Sequence, residues 1–133
     1  MTSPEFRRER HSVTDLKIHL ICITKYRRKV FTDEGLKCIE SAMRSVSNSM
    51  NFRILEFNGE ADRVHVLLEF PPKLSVSTLV KHLKGVSSRA YNNAGHQKPS
   101  AKALWSPSYF AATVGGAPLE VVKRYIEQQA RPH

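Results

Sequence analysis

The chain has 133 residues, of which 41% are hydrophobic, and its 21 Lys and Arg against 12 Asp and Glu give a net charge of +9. This length predicts one domain with a real core, and the composition excludes a disordered chain. No apolar run approaches the roughly 20 residues needed to span a bilayer. An excess of positive charge is typical of nucleic-acid-binding domains, and also of basic soluble proteins that bind no nucleic acid.

The first segment, "MTSPEFRRERHS", has basic residues without a following apolar stretch. This pattern predicts a flexible basic arm over residues 1–12 and no secretory signal, so residues 13–133 form the single folded domain. Cys22 and Cys38 lack a Cys-x-x-Cys spacing. We therefore expect two free thiols and a reducing cytoplasm.

The first predicted strand covers residues 14–24, which are rich in Ile and Leu. The next segment, "KYRRKVF", gathers four cations around Tyr26. Thr32 and Asp33 are typical helix-start residues, and apolar residues then recur at spacings of three and four up to Met50. A strand, a basic segment and an amphipathic helix are therefore expected in that order.

Turn, cap and proline residues bound the remaining predicted elements. These are a strand at 51–58, a tight turn between Gly59 and Asp62, a strand within 60–72 ended by Pro71-Pro72, a helix from Ser75 or Ser77 to Asn92–Gly95, a connection at 96–107, a strand at 108–116 and a helix from Pro118. The predicted order is strand, helix, strand, strand, helix, strand, helix.

This order predicts an α+β, ferredoxin-like (RRM-like) fold, with an antiparallel sheet, two helices on one face and a C-terminal helix at about 118–130. The fold alone decides no function. RNA-recognition modules share it, but their third strand exposes aromatic residues. Here that strand reads "DRVHVLLEF", with no aromatic residue before Phe70. An RNA-binding module is therefore the least favoured function.

The third strand places a cation and an imidazole together. Alternate residues share a face, so Arg63 and His65 point to the open face while Val64 points to the helices. Burying such a pair is costly unless something uses it. On the last helix, Tyr125 and Gln129 are four residues apart and share a face. This pattern fits a phenolic nucleophile beside a metal held by imidazole and amide, or else a packed tyrosine and a solvated glutamine.

Four blocks carry a resemblance that covers nearly the whole chain after the arm: "HLICITKYRRKVF", "ADRVHVLLEFPP", "LVKHLKGVSSR" and "LWSPSYFAATVGGAPLEVVKRYIEQQ". In this order and spacing they resemble the single-tyrosine HUH transposases of bacterial insertion sequences, the TnpA type, with REP-associated tyrosine transposases among their relatives. The resemblance implies homodimers in the bacterial cytoplasm or nucleoid, with no membrane partner. It also implies an enzyme that binds subterminal hairpins of single-stranded DNA. Such an enzyme cuts and rejoins strands through a 5′-phosphotyrosine with a divalent metal, Mg²⁺ or Mn²⁺.

By this resemblance Tyr125 matches the nucleophile, and His65 and Gln129 match metal ligands. Arg63 departs from the pattern because it stands where the family has its first histidine. A guanidinium has no lone pair for a metal, so metal binding is expected to be weakened or lost. Alternatively, Arg63 holds the scissile phosphate as a bidentate fork. The candidates for a replacement ligand are Asp62, Glu69 and His19, of which His19 also fits a simple packing role.

The resemblance further implies composite active sites, with the tyrosine helix exchanged between subunits. Gly115-Gly116 fits a hinge ahead of that helix, because hinges are often small residues, and fits a simple turn equally well. Candidate DNA-phosphate contacts fall into two basic clusters, although either also fits a solvated face. The clusters are Lys25, Arg27, Arg28 and Lys29, and Lys81, Lys84 and Arg89. Two functions remain open: an active transposase, and a catalytically impaired relative that binds DNA hairpins.

Overall fold

The antiparallel sheet expected from the sequence is present. The computed structural model describes residues 6–114 and 119–128, without the side chains of residues 119–122 and 125. Its elements are β1 (Arg7–Glu9), β2 (Ser12–Thr14), β3 (Lys17–Ile23), a 3-10 turn (Lys25–Arg27), α1 (Asp33–Met50), β4 (Arg53–Glu60), β5 (Arg63–Glu69), α2 (Val76–Asn93), β6 (Phe110–Thr113) and α3 (Leu119–Gln128).

The main sheet has the strand order β4-β5-β3-β6, and every neighbouring pair is antiparallel. Apart from the short strands β1 and β2, the elements follow the predicted order. The two long helices pack on one face of the sheet, where the main core lies. The ferredoxin-like fold class is therefore confirmed.

Local capping explains where the long helices begin and end. Thr32 Oγ1 accepts a hydrogen bond from the Gly35 backbone N–H at 3.1 Å, which satisfies a donor of the first turn of α1. Asn51 closes α1 in the left-handed conformation, with φ 59°. Ser75 caps α2 by accepting from the Thr78 backbone N–H at 3.1 Å. Both helices lie where the cap residues predicted them.

The main core lies between the two long helices and the sheet. Its strand residues are the alternate apolar positions of β3 and β5, and each is at most 4% exposed. They are Ile18, Leu20, Cys22, Val64, Val66 and Leu68. Since the residues between them point to the opposite face, this core fixes which side chains of β3 and β5 stand on the open face.

The predicted flexible arm at residues 1–12 is wrong for its second half. Strands β1 and β2 pair as an antiparallel β-hairpin. Arg7 fastens this β-hairpin to the sheet, since its Nε and Nη2 each donate to the buried Glu69 carboxylate at 2.8 Å. The basic residues suggested a solvated arm, but a buried carboxylate 62 positions away gives Arg7 a fixed partner. Residues 1–5 lie outside the described part.

Two predicted boundaries also shift. The tight turn was expected to start at Gly59, but β4 continues to Glu60. Gly59 faces α1, where an added Cβ would lie 2.4 Å from Leu36 Cδ2, so the glycine allows close helix packing. Strand β6 covers only the middle of the predicted 108–116 segment.

Both cysteines are free thiols, as predicted. Cys22 is fully buried, and burial raises the pKa of its thiol to about 12. Within residues 6–114 and 119–128, no helix has the length and apolar character that crossing a membrane requires.

Candidate active site and nucleic-acid interface

The open face of β5 carries the residues that the alternation predicted. Val64 and Val66 are fully buried toward the helices, whereas Arg63 and His65 are partly exposed on the opposite face. His65 lies opposite Ile21 of β3 and Asn58 of β4 in the sheet register.

His19 of β3 contacts His65 directly. It pairs with Leu67 in the register, one diagonal step from His65 on the same face. Its Nδ1 lies 3.0 Å from His65 Nε2. Burial and the neighbouring His19 lower the pKa of His65, while Glu56 acts in the opposite direction. The neutral imidazole, which keeps a lone pair for a ligand, is therefore favoured at His65.

Arg63 is held by two carboxylates. Its Nη2 lies 2.6 Å from Glu60 Oε2, and its Nη1 donates to Asp62 Oδ1 at 2.8 Å. The other oxygen of the buried Asp62 carboxylate accepts from Arg27 Nε at 2.9 Å. A phosphate would have to displace these carboxylates, so the contacts disfavour the idea that Arg63 acts as a phosphate fork.

The other two candidate replacement ligands are already occupied. Both Asp62 oxygens accept from arginines, and the fully buried Glu69 accepts from Arg7 and Arg53. In the described part of the chain, no group of three or more His, Cys, Asp or Glu side chains is placed to hold a metal. Of the three candidates, only His19 faces His65.

Helix α3 lies on the open face. Ile126, which is 9% exposed, packs with Ile21 and Ile23 of β3 in a second buried cluster that also contacts Phe110. Ile21 and Ile23 are the register partners of His65 and Arg63. The predicted nucleophile Tyr125 belongs to this helix, although its side chain is outside the description.

Three further predicted residues fall beyond the described residues. These are the proposed ligand Gln129 and the proposed hinge Gly115-Gly116.

A strained basic turn follows β3. We call residues Lys25–Arg28 the KYRR turn; Tyr26 and Arg27 both have left-handed backbones, with φ 59° and 54°. Such conformations are costly for residues with large side chains and persist where surrounding contacts enforce them. Arg27 is tied to Asp62, and Arg28 Nη1 donates to the Pro99 carbonyl at 2.8 Å.

The KYRR turn presents an aromatic ring to solvent. Tyr26 is 44% exposed, and the Lys25 ammonium and Arg28 guanidinium lie 5.1 and 5.4 Å from its ring centroid. The sequence showed the four cations but not the strained backbone, because positive φ at Tyr and Arg has no sequence signal. An exposed ring between cations suits stacking and phosphate contacts with single-stranded nucleic acid.

The residues of the second basic cluster differ in their exposure to solvent. Lys84 is half-buried, and its Nζ donates to the Ser106 carbonyl at 2.6 Å. Burial lowers the pKa of Lys84. These contacts give Lys84 a structural role in fixing the chain before β6. Lys81 and Arg89 are exposed on α2 and remain candidates for phosphate contact.

Comparison with known proteins identifies the family. The profile described as "Transposase IS200 like" matches residues 12–129. The "Transposase for insertion sequence element IS200" of Salmonella typhimurium is 36% identical over 122 residues, covering 90% of this chain and 80% of that protein. The "ISDra2 transposase TnpA" of Deinococcus radiodurans is 31% identical over 128 residues, covering 94% of this chain and 91% of that protein.

Two solved structures are also similar. A crystal structure assigned to a transposase of Deinococcus radiodurans has a TM-score of 0.83 and 30% identity, covering 95% of this chain and 99% of that one. A REP-associated tyrosine transposase bound to a REP hairpin has a TM-score of 0.57 and 13% identity, covering 94% of this chain and 69% of that one. This second likeness concerns the fold alone. The profile and the relatives show that the chain belongs to the IS200-like transposase family, DNA-binding enzymes that carry out the transposition of insertion sequences.

Proposed function

We propose that this chain is a single-stranded DNA transposase that binds DNA hairpins and uses Tyr125 as its nucleophile. The observation that supports this most is the position of α3. Ile126, the residue after Tyr125, packs on the register partners of His65 and Arg63. Helix α3, which includes Tyr125, therefore lies on the sheet face to which Arg63 and His65 point.

The proposed reaction is a transesterification. The Tyr125 oxygen bonds to the phosphorus of a phosphodiester, the bond from phosphorus to the 3′ oxygen breaks, and the phenolic proton ends on the released 3′-OH. A 3′-OH later attacks the 5′-phosphotyrosine, which reseals the strand and restores the phenol. Because the covalent intermediate conserves the ester bond, no nucleotide cofactor is required.

The metal site that the family resemblance implies fits this chain poorly. Arg63 offers no lone pair, and its guanidinium is held by Glu60 and Asp62 beside the place where a cation would sit. Among the described residues, His65 would be the sole ligand from the "DRVH" segment. We therefore propose that cleavage by the native chain is impaired, whereas DNA binding is retained.

A covalent-adduct assay tests the nucleophile. Labelled single-stranded DNA from the ends of the element is incubated with Mg²⁺ or Mn²⁺ and either the native chain or its Arg63→His variant. We expect Tyr125→Phe to abolish adduct in both backgrounds, because phenylalanine has no oxygen to bond to phosphorus. Tyr109→Phe is the matched control and should leave the adduct unchanged. An adduct that survives Tyr125→Phe would assign another nucleophile and overturn the proposal.

DNA binding is proposed to involve the KYRR turn and a homodimer. We expect Tyr26→Asn to weaken binding to a DNA hairpin with a single-stranded flank by roughly 5- to 150-fold, in line with about 1–3 kcal/mol for one stacked base. Asparagine tolerates the left-handed backbone, so the melting temperature should stay the same or rise. Fluorescence anisotropy and thermal melting measure the two effects.

The control for the binding experiment is Tyr109→Phe, which should bind the hairpin like the native chain. The affinity of the native chain for the hairpin should fall steeply as the salt concentration rises. Sedimentation of the complex reports the dimer. A Tyr26→Asn protein that melts normally and binds with native affinity would exclude base stacking at the KYRR turn.

A further inference from the structure

The connection between α2 and β6 lies in a stretch of the chain that has no acidic residue. Residues 70–119 contain no Asp or Glu, and their cations are Lys73, Lys81, Lys84, Arg89, Lys98 and Lys102. The last two bound the sequence KPSAK, and we call residues 98–102 the KPSAK loop. Lys102 is exposed and Lys98 is partly exposed. The loop therefore presents two ammonium groups without a carboxylate close to them in the sequence.

The KPSAK loop is held beside the KYRR turn. Arg28 Nη1 donates to the carbonyl of the buried Pro99 at 2.8 Å. Just after the loop, the Leu104 carbonyl accepts from the Lys25 backbone N–H at 2.9 Å. These bonds fix the loop before any ligand arrives, so less conformational entropy is lost when its lysines bind one.

The Arg28 guanidinium joins the KPSAK loop to the exposed ring of Tyr26. It lies 5.4 Å from the ring centroid while it donates to Pro99. The backbone of a DNA strand with one base stacked on Tyr26 can therefore continue over the loop. Lysine ammonium groups bind phosphates as point charges and do not read the bases. We propose that Lys98 and Lys102 bind phosphates of the single-stranded flank of the hairpin, next to the base that stacks on Tyr26.

The neighbouring aromatic ring favours single-stranded DNA over the duplex stem as the ligand of the KPSAK loop. Bases can stack on a side chain where they are free of a partner strand, and single-strand grooves combine such rings with cations that follow the backbone. The Tyr26 ring, at 44% exposure, and the two lysines provide both parts of this arrangement. The inference rests on the proposed function, in which Tyr26 contacts single-stranded DNA, and it adds the path of the strand across the protein.

Fluorescence anisotropy with two DNA probes tests the proposal, using a hairpin with a single-stranded flank and the same hairpin without it. We expect Lys98→Gln combined with Lys102→Gln to weaken binding of the flanked hairpin several-fold. The slope of log affinity against log salt should become shallower by roughly 1.4, because each single-strand phosphate contributes about 0.7. Binding of the unflanked hairpin should not change. Lys98→Arg combined with Lys102→Arg keeps both charges and should bind like the native chain.

The matched control is Lys37→Gln combined with Lys73→Gln, which removes two other exposed lysines. Lys37 lies on α1, and Lys73 follows the end of β5 that is opposite to the KYRR turn. This control should leave the ratio of the two hairpin affinities at its native value. Thermal melting of every variant checks that it is folded.

Two outcomes with the glutamine pair at Lys98 and Lys102 would overturn the proposal. An equal loss of affinity for both hairpins would place the lysines on the duplex stem, and native affinity for both would remove them from the interface. In either case a native chain that prefers the flanked hairpin still supports the proposed function. A native chain that binds both hairpins equally would contradict stacking at Tyr26 and the lysine contacts together.

Discussion

Replacing Arg63 with histidine is expected to raise the yield of covalent DNA adduct by roughly a hundredfold over the native chain. The change supplies an imidazole at the position where the family resemblance implies the first histidine, and it removes a fixed positive charge. A metal acting on a phosphate oxygen contributes several kcal/mol, and each 1.4 kcal/mol or so is about tenfold in rate. Single-turnover adduct formation with Mn²⁺ or Mg²⁺ measures the gain.

Two further variants separate the effect of the ligand from that of charge. Arg63→Ala removes the guanidinium without supplying a ligand, and Arg63→Lys keeps the positive charge. We expect a small gain for the first and none for the second. Arg27 still pairs with the buried Asp62 in all three variants, so their melting temperatures should stay close to that of the native chain.

Equal adduct from the native chain and from Arg63→His would show that Arg63 is compatible with catalysis. An equal gain in Arg63→Ala and Arg63→His would instead show that the guanidinium only blocks the site.

Much of the fold could be predicted because local signals agree with the tertiary structure. Thr32 and Ser75 mark the helix starts, and the alternation around His65 fixes which face it occupies. The β-hairpin at the N-terminus could not be predicted in this way. Its anchor joins Arg7 to a carboxylate 62 residues away, and neither residue carries a local signal for the other.

In the candidate site, too, some features could be predicted from local sequence patterns and others depend on long-range contacts. The sequence placed Arg63 and His65 on one face, and strand pairing made His19 a candidate neighbour. Which of the candidate replacement ligands, His19, Asp62 and Glu69, faces His65 could be decided only from side-chain contacts. The Asp62 and Glu69 carboxylates already have arginine partners. The exposed Tyr26 ring could not be predicted either, since it depends on a strained backbone. That backbone is held by the bonds of Arg27 to Asp62 and of Arg28 to the Pro99 carbonyl, both outside the turn.

Glu69→Gln is expected to lower the free energy of unfolding by about 3 kcal/mol at neutral pH, within the range for breaking a buried ion pair. The Glu69 side chain is fully buried, and it accepts from Arg7 twice at 2.8 Å and from Arg53 at 2.9 Å. Glutamine has nearly the same shape but no charge, so the largely buried Arg7 loses its buried counter-charge and keeps the longer pair with the more exposed Glu9 at 3.7 Å. The β-hairpin of β1 and β2 should then exchange its amide hydrogens faster, and urea denaturation measures the lost stability.

The matched control is Glu40→Gln, which removes an exposed pair with Arg44 one helical turn away and should cost about 0.3–0.5 kcal/mol.

The pH dependence of stability gives a second check. Burial alone would raise the pKa of Glu69, but the hydrogen bonds from Arg7 and Arg53 outweigh it and hold the pKa below its usual 4.5. Because the folded pKa is depressed, this stabilisation is fully present above the unfolded pKa and is lost as pH falls through the folded pKa. The difference between native and Glu69→Gln should therefore shrink on acidification below about 4.5. A cost no larger than that of Glu40→Gln, or a difference that does not change with pH, would contradict the anchoring role of Glu69.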